Sequence, residues 1–112
     1  MSDQDKRRHF RKSLQAKATI ADILGNTWTS IDMLDISSSG AAFMSEEALP
    51  PGSARMVRFQ LPDSDKRYTV VCKIVHCTEH SFLRGYRVGS EFVRAGEEEL
   101  RAIARFVNDQ GG

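Results

Sequence analysis

The run from Tyr68 to Cys77 constrains the fold more than any other stretch of this chain. Val70, Cys72 and Ile74 alternate with Val71 and Val75, so an extended strand here is apolar on both faces. Such a strand needs cover on both sides, by a barrel interior and by something outside. Its neighbours have the same period of two. In Met56 to Leu61, Val57, Phe59 and Leu61 face in while Arg58 and Gln60 face out. Pro62-Asp63-Ser64-Asp65 supplies the turn between the two runs.

The same reading extends along the chain. Leu14 to Leu24 is a strand candidate, with Ala16, Ala18 and Ile20 on one face. Gly25-Asn26 turns it into Thr27 to Asp35, giving a hairpin. Ser37-Ser38-Ser39-Gly40 breaks the pattern, and Ala41 to Met44 makes a short strand. The Glu46–Ser53 loop holds Pro50-Pro51-Gly52, whose prolines cannot donate to a ladder. Thr78 to Gly85 is a loop, and Tyr86 to Val93 is the last strand, with Val88 and Phe92 as core. The period then changes. Leu100, Ile103, Ala104 and Val107 fall at i, i+3, i+4 and i+7, an amphipathic helix. Glu97-Glu98-Glu99 suits its positive end, and Asn108 to Gly112 ends it. Six strands joined by short connections, followed by one helix, predict a mainly β fold: a small antiparallel barrel or sandwich whose helix covers an open end or an apolar face. Trp28, Met33, Phe43 and Phe106 are expected in the core.

At 112 residues with 40% hydrophobic and 28% charged content, the chain is one globular domain. Residues 1–13 are expected to be a flexible basic arm and residues 14–112 the packed unit. No apolar run is long enough to cross a bilayer, and the polar start, Met1 to Asp5, is no signal peptide. Cys72 and Cys77, five apart in one strand, are expected on opposite faces and as reduced thiols, consistent with a cytoplasmic protein. Cys72, His76, Cys77 and His80 do not converge tetrahedrally on this alternation, which argues against zinc. No nucleophile–base pair, Walker motif or dinucleotide glycine fingerprint is present, so no enzyme is expected.

Net charge is only +1, yet five of the seven residues from Lys6 to Lys12 carry fixed positive charge. Local rather than general charge argues against a nucleic-acid coat protein, and no DNA partner or membrane insertion is expected. Arg7 and Arg11 are four apart, a spacing that puts both on one side of a turn or a strand. Their guanidinium forks suit phosphate and the O6/N7 edge of guanine. Alone, the run also fits a solvated tail. Asp35 and Ser37 end the second strand on one face, with Gly40 three residues on. Asp35 is placed to orient an arginine or to accept from guanine N–H groups. The Ser37 hydroxyl is placed to meet a phosphate or cap the turn, and Gly40 to supply positive φ and close approach to a ligand. A plain Ser/Gly turn fits the same residues.

Taken as a pair, Arg7-x-x-x-Arg11 and Asp35-x-Ser37-x-x-Gly40 resemble the two-part signature of the PilZ domain family, RxxxR followed by (D/N)xSxxG. Tyr86 to Phe92 also resembles the family's last strand. The resemblance runs from about residue 6 to the terminal helix. It implies a six-stranded antiparallel PilZ-type β-barrel with a C-terminal α-helix. It also implies binding of the bacterial second messenger cyclic di-GMP, as a ligand rather than a cofactor. Arg7 and Arg11 would then hold guanine edges and phosphates. Asp35 and Ser37 would contact guanine and the neighbouring arginine or phosphate, and Gly40 would shape the turn. Arg8 would add a phosphate or stacking contact. His76, where relatives often carry an aromatic residue, would pack against a guanine. On this reading the chain is a signalling adaptor whose arm orders on binding and alters the surface shown to an effector protein. The rival readings are a nucleotide-independent protein-interaction barrel and a small-barrel binder of RNA or single-stranded DNA.

Overall fold

The computed structural model describes residues 11–62, 64–80, 82 and 84–108. Six strands run in chain order: β1 (Lys12–Asp22), β2 (Thr29–Ile36), β3 (Gly40–Ser45), β4 (Ala54–Gln60), β5 (Arg67–Glu79) and β6 (Tyr86–Arg94). One helix, α1 (Glu97–Asn108), follows. All pairings are antiparallel, and the order β1-β2-β3-β6-β5-β4 closes on itself as a barrel. The expected mainly β barrel with a terminal helix is the observed fold.

Inward apolar residues alternate with outward polar ones most clearly on β1, β2 and β4, whereas β3 is apolar almost throughout. Ala18, Ile20, Ile31, Met33, Phe43, Val57, Phe59, Val70, Ile74 and Val88 are buried in a single cluster. The β1–β2 turn is organised by Asp22, whose Oδ1 accepts from the N–H groups of Leu24 and Gly25 at 3.1 and 2.9 Å. Gly25 takes φ 70°, the left-handed value that a glycine allows without strain. α1 sets Ile103, Phe106 and Val107 into the core. Its acidic first turn suits the dipole, and Glu98 pairs with Lys66 of the β4–β5 connection. At its other end Lys12 of β1 donates to the Phe106 carbonyl at 3.0 Å and lies 4.1 Å from the centroid of the Phe106 ring. A cation at a helix C-terminus satisfies a carbonyl that the helix itself cannot.

Several sequence expectations change. β5 extends to Glu79, past the expected loop start at Thr78, and register shifts interrupt its pairing with β6 between Ile74 and His76. The bulge inverts the alternation beyond it. Cys72 pairs with Phe92 and Cys77 with Val88, so both cysteines point inward rather than to opposite faces. Cys72 is buried and Cys77 packs against the core, accepting from the Leu49 N–H at 3.4 Å; both are free thiols. His76 is turned outward instead of sharing a face with Cys72. Val75 at the bulge is 49% exposed, so the second apolar face of β5 is not fully covered. Leu100 is likewise exposed, while Met33, Phe43 and Phe106 are buried as expected. Trp28 is not core: it is half-buried on the outer wall, with the Arg58 guanidinium 4.2 Å above its ring.

Candidate functional site

Strand register brings one line of residues together across the outer wall. Asp35 on β2 pairs with Ala42 on β3, Ala42 with Gly89 on β6, and Gly89 with His76 on β5. These four positions form a transverse row. Its two central members are the smallest side chains available, and its ends are a carboxylate and an imidazole. At the usual inter-strand spacing the row is about 14 Å long. Small side chains keep the centre of the row low, and both Ala42 and Gly89 are buried, with the His76 ring lying over Gly89.

At one end, Arg11 Nη1 donates to Asp35 Oδ1 at 2.6 Å, a charge-assisted bond joining positions 24 apart in the chain. Asp35 is mostly covered, at 19% exposure, while Arg11 is 56% exposed. The carboxylate is thus an anchor, and it aims a guanidinium whose outer edge faces solvent. Arg87 of β6 approaches the other carboxylate oxygen, with Nη2 3.9 Å from Oδ2. Sequence reasoning missed Arg87. It lies inside the Tyr86–Phe92 segment, two residues before Gly89 and on the same outward face, so strand alternation was the signal that could have found it.

At the other end, His76 is exposed and lies over Gly89. A Cβ at position 89 would overlap Nε2 of His76 and sit 2.6 Å from its Cε1. The imidazole therefore occupies space that any other residue at 89 would contest.

Ser37 and Gly40 build the β2–β3 turn and do not face the row. Ser37 is buried. Its Oγ accepts from the Ser39 N–H at 3.2 Å and lies 3.1 Å from Ser39 Oγ, and its N–H donates to the Gly40 carbonyl at 2.8 Å. The Ser37 hydroxyl thus caps the turn, one of the two roles expected of it. Gly40 has no positive φ, contrary to expectation. Its lack of a side chain admits β6 instead: a Cβ there would overlap the Ser90 carbonyl oxygen and lie 2.9 Å from Glu91 Cα. The Ser39 carbonyl accepts from Phe92 N–H at 2.8 Å, fastening the turn to the same strand. Arg7 and Arg8 lie outside the described residues. Among the described residues no cluster of metal-ligating side chains occurs, and no helix is long and apolar enough to cross a membrane.

A closed six-stranded barrel followed by one helix, with Arg11, Asp35 and His76 along its outer wall, defines a small β-barrel domain. The chain belongs to the PilZ domain family, whose model matches residues 5–109. Comparison with curated proteins finds no match. Among solved structures, the Bacillus subtilis inhibitor of motility MotI/DgrA is similar at TM-score 0.81 and 11% identity, over 94% of this chain and 51% of that one. The PilZ domain of Escherichia coli YcgR, solved with c-di-GMP, is similar at TM-score 0.72 and 15% identity, over 93% of this chain and 90% of that one. The K. pneumonia MrkH–c-di-GMP complex is similar at TM-score 0.72 and 16% identity, over 93% of this chain and 52% of that one. This chain spans about half the length of the MotI/DgrA and MrkH chains. At these identities the likeness is one of fold.

Proposed function

We propose that this chain is a non-enzymatic receptor for cyclic di-GMP that works as an adaptor. The single observation that carries the reading is the row Asp35–Ala42–Gly89–His76 with Arg11 fixed at its end. Family membership and the c-di-GMP named with YcgR and MrkH support it. The ligand carries two guanines and two phosphate charges. A guanine packs against the His76 imidazole, which lies over Gly89, and Arg11, aimed by Asp35, takes a guanine edge or a phosphate. Arg87 adds positive charge at the same carboxylate. Arg7 and Arg8 bring further guanidinium groups from the arm, while Ser37 and Gly40 hold the turn that positions Asp35.

Charge-assisted hydrogen bonds contribute roughly 1.5–3 kcal/mol each, enough for a few of them to offset the ordering of an arm. The arm is then the moving part, and its docking changes the face offered to an effector protein. Calorimetric titration with cyclic di-GMP tests the reading. Saturable heat is expected from the wild type, with affinity reduced at least roughly tenfold in Arg11→Ala. No heat from a folded wild type would leave the nucleotide-independent interaction barrel standing. A stronger, steeply salt-dependent response to random oligonucleotides would favour a nucleic-acid binder.

A further inference from the structure

A second cationic site lies on the far side of the barrel. β4 is three strands from β3 in either direction around the ring, so the β1–β4 wall is opposite the row described above. There a cavity of about 400 Å³ is lined by Lys17, Thr19, Ser30, Arg58, Gln60 and Arg67. Register places them side by side: Thr19 pairs with both Ser30 and Arg58, and Gln60 pairs with Arg67. All are outward positions on their strands.

The cations in it are held differently. Lys17 Nζ is 2.8 Å from Asp32 Oδ1 and so is already neutralised. Arg58 is fixed in place on two sides, by the Trp28 ring beneath its guanidinium and by Thr69 Oγ1, which accepts from its Nε at 3.3 Å. Both contacts leave its two Nη groups without a hydrogen-bond partner among the described residues, and Arg67 has no ion-pair partner among them. Lys17 feels the carboxylates of both Asp32 and Glu46, so the surplus positive charge of the cavity sits at its Arg58–Arg67 end. A pre-set guanidinium with its fork outward loses little side-chain entropy when it receives a planar oxyanion.

The lining also says what the occupant lacks. One face of Trp28 is taken by Arg58, and Phe59 is buried, so the ring surface left for stacking a nucleobase is at most the other face of Trp28. The partners on offer are guanidinium N–H groups, hydroxyls and a carboxamide. We propose that this wall binds an acidic segment of a partner protein, with its carboxylates received by Arg58 and Arg67 and its backbone met by Thr19, Ser30 and Gln60. The site is separate from the cyclic di-GMP reading and stands or falls without it.

The test uses the full chain and a fluorescein-labelled peptide of alternating glutamate and glycine, followed by anisotropy. Saturable binding is expected. It should weaken roughly tenfold in the Arg58→Gln/Arg67→Gln double variant and stay unchanged in Arg101→Gln/Arg105→Gln, which removes equal charge from α1. Because Arg58→Gln also loses its Trp28 contact, Arg67→Gln alone serves if the double variant does not fold, with a loss of roughly threefold or more. Absence of saturable binding, an equal loss in the helix variant, or tighter binding of an oligothymidylate that displaces the peptide each overturns the proposal.

Discussion

His76 lies over the bare backbone of Gly89, its register partner across β5 and β6, and fills the space a side chain at 89 would need. The contact is with the far end of an exposed, rotatable side chain. Gly89→Ala should therefore push the imidazole aside rather than unfold the barrel. The melting temperature should move by only a few degrees, while cyclic di-GMP affinity falls several-fold as the ring is displaced. Unchanged affinity in a folded Gly89→Ala would remove this contact from the binding site.

Gly40 offers the opposite case. The atoms its Cβ would strike belong to the backbone of Ser90 and Glu91, which cannot swing away. Gly40→Ala should cost about 1–3 kcal/mol by forcing β3 and β6 apart. Urea unfolding should show a lower midpoint at an unchanged slope. A stability equal to wild type would mean that the turn relaxes, and that the close approach is not needed for the fold.

The Arg11–Asp35 pair should separate stability from binding. An exposed ion pair contributes about 0–1 kcal/mol to folding, so Asp35→Asn should melt near wild type. Its affinity for cyclic di-GMP should nevertheless drop roughly tenfold, because Arg11 loses the group that aims it. A double-mutant cycle with Arg11→Ala should show strong non-additivity in the binding energies. Additive effects would mean that the two residues act independently.

Burial pushes the Cys72 thiol up to about 11 from 9.0, opposed by its hydrogen bond with Ser90. The neutral thiol is favoured in the folded state, and the unfolded chain releases its proton at lower pH. Stability from this group is therefore intact below pH 9.0 and is lost as pH rises towards about 11. The slope cannot exceed about 1.4 kcal/mol per pH unit. Thermal melts of wild type should decline across that window, and Cys72→Val should flatten the decline. Lys17, held protonated by its hydrogen bond and charge attraction to Asp32, adds a loss only above its ordinary 10.5. Identical pH profiles for the two proteins would show that the thiol does not titrate with unfolding.

Lys12→Met should free the last turn of α1. The hydrogen bond to the Phe106 carbonyl and the cation above the ring both disappear. A loss of about 1 kcal/mol is expected, with faster amide exchange confined to the end of the helix and restored by Lys12→Arg. Exchange rates unchanged along α1 would mean that core burial of Ile103 and Phe106 alone holds it.

Local alternation carried most of the architecture. Val57, Phe59 and Leu61 against Arg58 and Gln60 define β4 without help from elsewhere, and the helical spacing of Ile103 and Val107 defines the inner face of α1. Reading failed where a single extra residue changed the phase. The bulge near Val75 carries no glycine or proline to mark it, yet it turns His76 outward and Cys77 inward. Trp28 was misplaced because hydrophobicity alone does not reveal that an arginine will cover it from outside. Asp35 and Arg11 stood out through their spacing in the chain. The Ala42–Gly89 pair did not, because two small residues 47 positions apart acquire meaning only through the β3–β6 register. Alternation puts Arg87 on the outward face of β6, but its approach to Asp35 depends on the β2–β3–β6 register.

Closure of the barrel has a consequence for how this molecule is recognised. Each of the six strands has two neighbours, so wherever the described strands are paired on both sides the wall offers no free main-chain ladder to an incoming strand. Recruitment by β-augmentation is therefore closed to those paired stretches of the barrel wall. Whatever docks there must read the outward side chains, and discrimination between partners is set by a few substitutable positions rather than by the generic peptide backbone. Such a surface can be respecified one residue at a time while the scaffold beneath it stays the same.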